Sequence, residues 1–492
     1  MARGRRPIAA DLLSPLRLSI RSLSALLIAA LCAACVGERA SEGGAPAVPM
    51  GAEPVAGVGR APDVETSAQP AAATAGESGT PTAGTADVAL APPPGPRPTF
   101  VRPEHVRALY LNAWASGSRK RVGELIEVAR RTEVNAFVID VKDASGYVSH
   151  RSSVPLVREV GATGEIRIGD LPALLSRLEA EGIYPIARIV IVRDPILAAA
   201  RPGLAVQDAA GGPWRDGDGT VWVNIAKREV WDYNVALAEE VARMGFPEIQ
   251  WDYVRFPDAP RAQMASARFP GLDGPKPEAV RAFLGYADER LDALGLDVAN
   301  TADVFGITTT TNDVGIGQVW DRFVDRVDVV LPMIYPSHYY RGSFGYQRPN
   351  SFPYEVVRAA VVGALDRSSA VPGAGRLRPW LQDFDLGPPA YGAPEVRAQI
   401  QALYDLGVKE WVLWNAGSRY TEDALQPVEG WKEEPRIRVA DRVVPMSQRF
   451  AALAKRSPAP DTSRPRVLDP DSLRRWIDSM ATGKDTVGAK RR

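Results

Sequence analysis

A (β/α)8 barrel over residues 103–420 is the fold this sequence predicts, and three observations predict it. Eight β-branched or aromatic runs recur along that stretch, at 107–114, 135–143, 184–194, 248–257, 297–306, 328–337, 378–385 and 410–417. Segments of helical period separate them, and such alternation marks βαβ units on a parallel sheet. An open doubly wound sheet is the alternative, but it calls for a glycine-rich phosphate turn after the first strand, and none is there. Right-handed crossovers bring every strand's C-terminal end to one face of the closed barrel.

The elements follow in order. Residues 1–35 read as an export signal: Arg3, Arg5, Arg6, Arg17 and Arg21 precede an apolar run at 23–31, shorter than the ~20 residues of a membrane-spanning helix. Leu31-Cys-Ala-Ala-Cys35 is similar to the lipobox of bacterial lipoproteins, which makes Cys35 the expected lipidation site. Cys32 stands where Leu is usual, so cleavage after an Ala is the alternative. The expected location is the cell envelope, on a membrane anchor, or otherwise periplasmic or secreted. Both cysteines lie here, leaving no thiolate or disulfide in the rest of the chain.

Residues 36–102 are Ala, Gly, Pro, Ser and Thr with almost no aromatic residue, a composition that cannot offset chain entropy by burial. They read as a disordered linker with a reach of roughly 45 Å. Within the barrel, apolar residues at three- and four-residue intervals predict helices at 120–131, 171–181, 228–244, 278–294, 353–365 and 394–406. Beyond 420 the pattern fades. The extension 421–492 is expected to be largely irregular, with short packed elements at 429–444 and 471–480 and a solvated basic tail.

The 59 basic and 59 acidic residues balance without a long like-charge run, which argues against a nucleic-acid partner. A small molecule or glycan is expected instead; oligomeric state is not legible. Metal catalysis is disfavoured, because His105, His150 and His338 are widely spaced, and no cofactor is expected. There is no Gly-x-Ser-x-Gly nucleophile elbow either.

Barrels carry chemistry at the C-terminal strand ends and stability at the N-terminal ends, which sorts the carboxylates. Glu248, Asp297, Asp328 and Glu410 begin their strands and are read as structural. Asp140, Asp143, Asp194, Asp252, Asp303, Asp383 and Asp385 lie late in theirs. Asp252 leads, because a carboxylate deep in the apolar strand Gln250-Trp-Asp-Tyr-Val-Arg-Phe-Pro257 is costly unless paired or used. Gln250 and Val254 should share its face by period, whereas Arg255 reaches it only if the strand ends there. A buried structural Asp–Arg pair is the alternative. Asp303 holds the comparable place on the next strand, within the range for paired glycosidase carboxylates.

Together these residues resemble the DUF4015 family of glycoside-hydrolase-type barrels. The matching stretches are Phe137-Val-Ile-Asp-Val-Lys-Asp143 with Gly146, Ile186-Ala-Arg-Ile-Val190 with Asp194-Pro195, Val230-Trp-Asp-Tyr-Asn-Val235, Ile249 to Pro257, Ala302-Asp-Val-Phe-Gly306, Met333-Ile-Tyr-Pro-Ser-His338 and Pro379-Trp-Leu-Gln-Asp383. The resemblance implies a nucleophilic Asp252 at the end of strand four and an acid/base Asp303 at the end of strand five, with Asp383 as transition-state stabiliser. Asp303 departs from the Glu usual in better-known relatives of that family.

The substrate-binding set expected around the pair is Asp140, Lys142, Asp143, Arg188, Tyr253, Arg255, Tyr335, His338, Gln382, Trp414 and Asn415. Two functions remain open at this point. One is hydrolysis of a glycosidic bond in an extracytoplasmic polysaccharide by two carboxylates. The other is a glycan-binding or cell-envelope lipoprotein on a barrel scaffold without chemistry.

Overall fold

The structure is a computed structural model and describes residues 97–455. Strands β1 (Arg107–Leu111), β2 (Ala136–Lys142), β3 (Tyr184–Val190), β4 (Glu248–Asp252), β5 (Ala299–Phe305) and β6 (Val329–Ile334) pair in chain order, all parallel. The seventh stave comes in two pieces, β7 (Arg376–Leu377) and β8 (Trp380–Gln382), both paired with β6. The break contains Pro379, which has no N–H to give the ladder. β9 (Trp411–Trp414) pairs with β8 and with β1 and closes the ring. The predicted eight-stranded barrel is the observed fold.

Helices Arg119–Arg131, Leu171–Ala180, Arg228–Met244, Lys276–Asp292, Pro353–Ser369 and Ala393–Tyr404 follow the predicted segments closely. The first shows the local logic: Ser118 caps it by accepting from Arg121 N, and Val122, Leu125 and Ile126 form the buried stripe. Along the strands the side chains alternate. Ala108, Tyr110, Val138, Ile186, Leu331, Trp380 and Val412 form an inner cluster, and residues next to them in sequence, such as Leu109, Phe137, Ala187, Val330, Leu381 and Leu413, join the larger core outside the staves.

The N-terminal end of the barrel is closed by charge. Arg378, fully buried, holds Glu248 at 2.5 Å and Glu410 at 2.9 Å, and Arg102 adds a second contact to Glu410 at 2.9 Å. Asp328 accepts from Asn300 N at 2.9 Å. These strand-starting carboxylates are structural, as their position predicts.

The ordered chain starts before residue 103. Pro98 is buried, Phe100 packs against both apolar clusters and Thr99 N bonds Glu179 at 2.7 Å. Composition marked this stretch as linker because the surface that receives Phe100 exists only once the barrel is closed. Past residue 420, the segment expected at 429–444 forms a hairpin of β10 (Arg436–Val439) and β11 (Arg442–Pro445), followed by helix Arg449–Ala454. Ile437 and Val439 are buried, and Arg438 reaches Glu395 at 2.5 Å. The export signal, Cys35, the linker up to residue 96 and the element expected at 471–480 lie outside the described residues.

Candidate active site

β4 ends on Asp252, because Tyr253 takes φ +53°, a left-handed conformation uncommon for a non-glycine residue. Tyr253 N donates to Oδ1 of Asp252 at 2.6 Å, fixing the carboxylate on its own turn. Gln250 shares the inward face as predicted; Val254, beyond the turn, joins the outer core instead.

Inside the mouth, Asp252 meets a cation from the neighbouring strand. Register pairs Arg188 of β3 with Gln250 and Val190 with Asp252, so a long side chain at 188 reaches forward to the end of β4. Its Nε lies 3.1 Å from Oδ2 of Asp252, its Nη2 donates to the same oxygen, and its Nη1 bonds Asp140 at 2.5 Å. Asp303 Oδ2 is 3.9 Å from the same Nε, which bounds the separation of the Asp252 and Asp303 oxygens at about 7 Å.

Aromatic rings enclose the ion cluster. Tyr110 donates to Asp140 at 2.5 Å and stacks on Trp414 with centroids 4.0 Å apart, and the Arg188 guanidinium lies 5.5 and 5.4 Å from those two rings. Trp380 donates to Asp303 at 2.6 Å, and Gln250 donates to both its oxygens at 2.9 and 3.0 Å. Burial, then the charge of Asp252, pushes the Asp303 carboxyl well above the usual aspartate range despite these donors. Burial likewise raises Asp140.

Beside this cluster a cavity of about 370 Å³ opens at the ends of β4, β5 and β6. That volume falls within the ~300–1,000 Å³ of small-molecule sites. Asp252, Tyr253, Arg255, Tyr335, His338 and Tyr339 line it, with Asp216 and Asp218 from the β3–β4 connection and Asp258 beyond β4. Arg255 pairs with Asp258 at 2.8 Å, not with Asp252, and lies 4.5 Å from the Tyr253 ring. Burial pulls His338 down to about 4, so it is neutral at physiological pH.

The structure thus gathers Asp140, Arg188, Asp252, Asp303 and Trp414 in one cluster and joins Tyr253, Arg255, Tyr335 and His338 to it through the cavity. The remaining residues of the expected set stand elsewhere. A bulge after Asp140 turns Lys142 outward, where its ammonium meets Asp194 at 2.7 Å, both fully buried, and lies 4.9 Å from the Tyr233 ring. Asp143 binds Arg167 and Ser145.

Asp383 receives Thr421 N at 2.8 Å and Thr421 Oγ1 at 2.7 Å, and burial raises it to about 6. Asn415 organises its own loop by accepting from Gly417 N at 2.9 Å, while its Nδ2 donates to Asp383 O at 2.6 Å. Gln382 ties Ser337 N, Phe384 O and Asn350 together. None of these five residues lines the cavity.

Several residues of the site were not singled out from sequence. Tyr110 and Trp380 have the inward parity of their strands, a signal that was readable. Asp216 and Asp218 sit in an Asp-Gly-Asp-Gly turn of a long connection after β3, where barrel loops carry function. Asp258 and Tyr339 lie just past their strands and carry no such mark.

The fold and site are those of a closed (β/α)8 barrel with a carboxylate cluster and a cavity at its C-terminal face. The chain belongs to the DUF4015 family, whose profile, described as "Putative glycosyl hydrolase domain", matches residues 108–420. No curated protein matches the chain. Among solved structures, a hypothetical protein from Ruminiclostridium thermocellum is 37% identical over 40% of this chain and 97% of its own, with a TM-score of 0.36. The PgaB (BpsB) glycoside hydrolase domain from Bordetella bronchiseptica is 14% identical over 64% of this chain and 95% of its own, TM-score 0.48. The α-galactosidase TtGalA from Thermus thermophilus is 12% identical over 66% and 60%, TM-score 0.39.

Proposed function

We propose that this barrel hydrolyses glycosidic bonds in a polysaccharide outside the cytoplasm, with Asp252 acting on the anomeric carbon as nucleophile or as base for water. One observation carries the reading: of the carboxylates gathered at Arg188, Asp252 is the one that also lines the cavity. It is therefore charge-paired on one side and open to a ligand on the other. Asp303 is the proton-bearing partner, since its raised affinity for a proton is what a general acid needs. Asp303 is 1% exposed and does not line the cavity, so as the glycosidic bond breaks its proton reaches the leaving oxygen only if the substrate opens the cluster at Asp252. The bound of about 7 Å overlaps both the ~5–5.5 Å of retaining and the ~6.5–9.5 Å of inverting pairs.

Replacing Asp252 by Asn should lower the release of new reducing ends by at least about a thousandfold while leaving the thermal midpoint and glycan binding intact. Turnover at the parent rate in that variant would remove Asp252 from the chemistry. A second reading, glycan binding without cleavage, is favoured by the commitment of Asp252 to Arg188. It predicts saturable binding and no reducing ends from any glycan.

A further inference from the structure

Trp114 stands apart from the cluster and the cavity. It lies in the short helix Ala113–Gly117 directly after β1, which puts it on the functional face of the barrel. Its ring is 61% exposed, whereas most tryptophans of the barrel are packed away. An isolated surface aromatic is ordinary. What sets this one apart is how it is supported.

Beneath it lies Arg167, whose side chain is only 7% exposed and whose guanidinium is 5.4 Å from the Trp114 ring and 5.3 Å from that of Tyr147. The guanidinium is held in turn by Asp143, by Glu165 at 3.0 Å and by Ser145 at 3.3 Å. The backbone is clamped as well: a Cβ on Gly117 would fall 1.8 Å from the Arg167 carbonyl oxygen, so the helix rests directly on the chain that carries the cation. Asp143, expected from sequence to touch substrate, acts here as a strut.

A ring fixed this way loses little freedom when something lies on it, and among the described residues its outer face is free. The ligand chemistry that fits a flat, preordered, electron-rich face is the C–H face of a pyranose ring. Asp143 and Glu165 both pair with Arg167, so the cation under the ring is already taken and offers no free charge to an anionic sugar.

We infer that Trp114 is a remote sugar-stacking subsite, and that the ligand is an uncharged oligosaccharide chain extending from the cavity at β4–β6 to the β1–β2 side of the mouth. The inference rests on the glycosidase reading and narrows it to a polymeric substrate bound across several units.

The test uses the full chain carrying Asp252→Asn, with and without Trp114→Ala, on an array of envelope and matrix polysaccharides, followed by calorimetry with the disaccharide and hexasaccharide of each glycan bound. The parent should prefer the hexasaccharide by at least tenfold. Trp114→Ala should erase that preference, Trp114→Phe should restore most of it, and the thermal midpoint should not move. Equal hexasaccharide affinity in the Ala variant, or an equal loss on the disaccharide, overturns the subsite and leaves the glycosidase reading standing. Binding of no glycan by either protein overturns both.

Discussion

Three aspartates share one guanidinium in the mouth of this barrel, so two negative charges are left over, and one proton removes one of them. Burial and the charge of Asp252 push the Asp303 carboxyl well above its usual range, which makes it the site we propose for that proton. A folded-state value above the unfolded one stabilises the fold fully at acid pH, and this contribution is lost as pH rises through the folded value. Asp303→Asn keeps the size and removes the titration. Relative to the parent, its stability should therefore rise as pH increases above the ordinary aspartate value of about 4, read as the urea midpoint at each pH; a constant difference would show that Asp303 is ionised in the fold. The same residue bears on catalysis. Asp303 is 1% exposed and absent from the cavity lining, while Asp258, paired with Arg255, faces the cavity directly.

At the scale of an element, the bulge in β2 decides what one residue is for. Strand period carries Asp140 inward and would carry Lys142 after it; the register shift sends Lys142 instead to Asp194, which also caps the helix Pro195–Ala200 by accepting from Leu197 N at 2.8 Å. Lys142→Met leaves that carboxylate buried without its cation and should cost about 3–5 kcal/mol of stability in denaturant melts, with kcat/KM of the folded enzyme intact. A large change in KM with normal stability would return Lys142 to the substrate site. The bulge marks where legibility ends. Phe137-Val-Ile-Asp-Val-Lys-Asp143 reads as one uninterrupted run, and nothing in it announces an extra residue. Asp252 was legible because a lone carboxylate in an apolar strand is conspicuous. Its partner Arg188 was expected only as a substrate contact, because the pairing depends on the stagger between β3 and β4, which one strand's sequence does not contain. The staves and helices were legible for the opposite reason, since each carries its own period.

For the whole molecule we propose export through residues 1–35 and a lipid anchor on Cys35, and Cys35→Ala tests that proposal. The variant should shift from the membrane fraction to the soluble fraction; retention on the membrane would point to an anchor other than a lipid on Cys35. The far end of the barrel sets a different constraint. Arg378 with Glu248 and Glu410, and Phe100 packed beneath, leave no passage through the staves. The cavity is a cul-de-sac, so a polymer cannot thread it from end to end. On the proposed reading, a long glycan would lie across the mouth, and whichever fragment entered the cavity would have to back out by the way it came before the next bond could be addressed. On the proposed glycosidase reading, departure of that fragment then comes before every further cut.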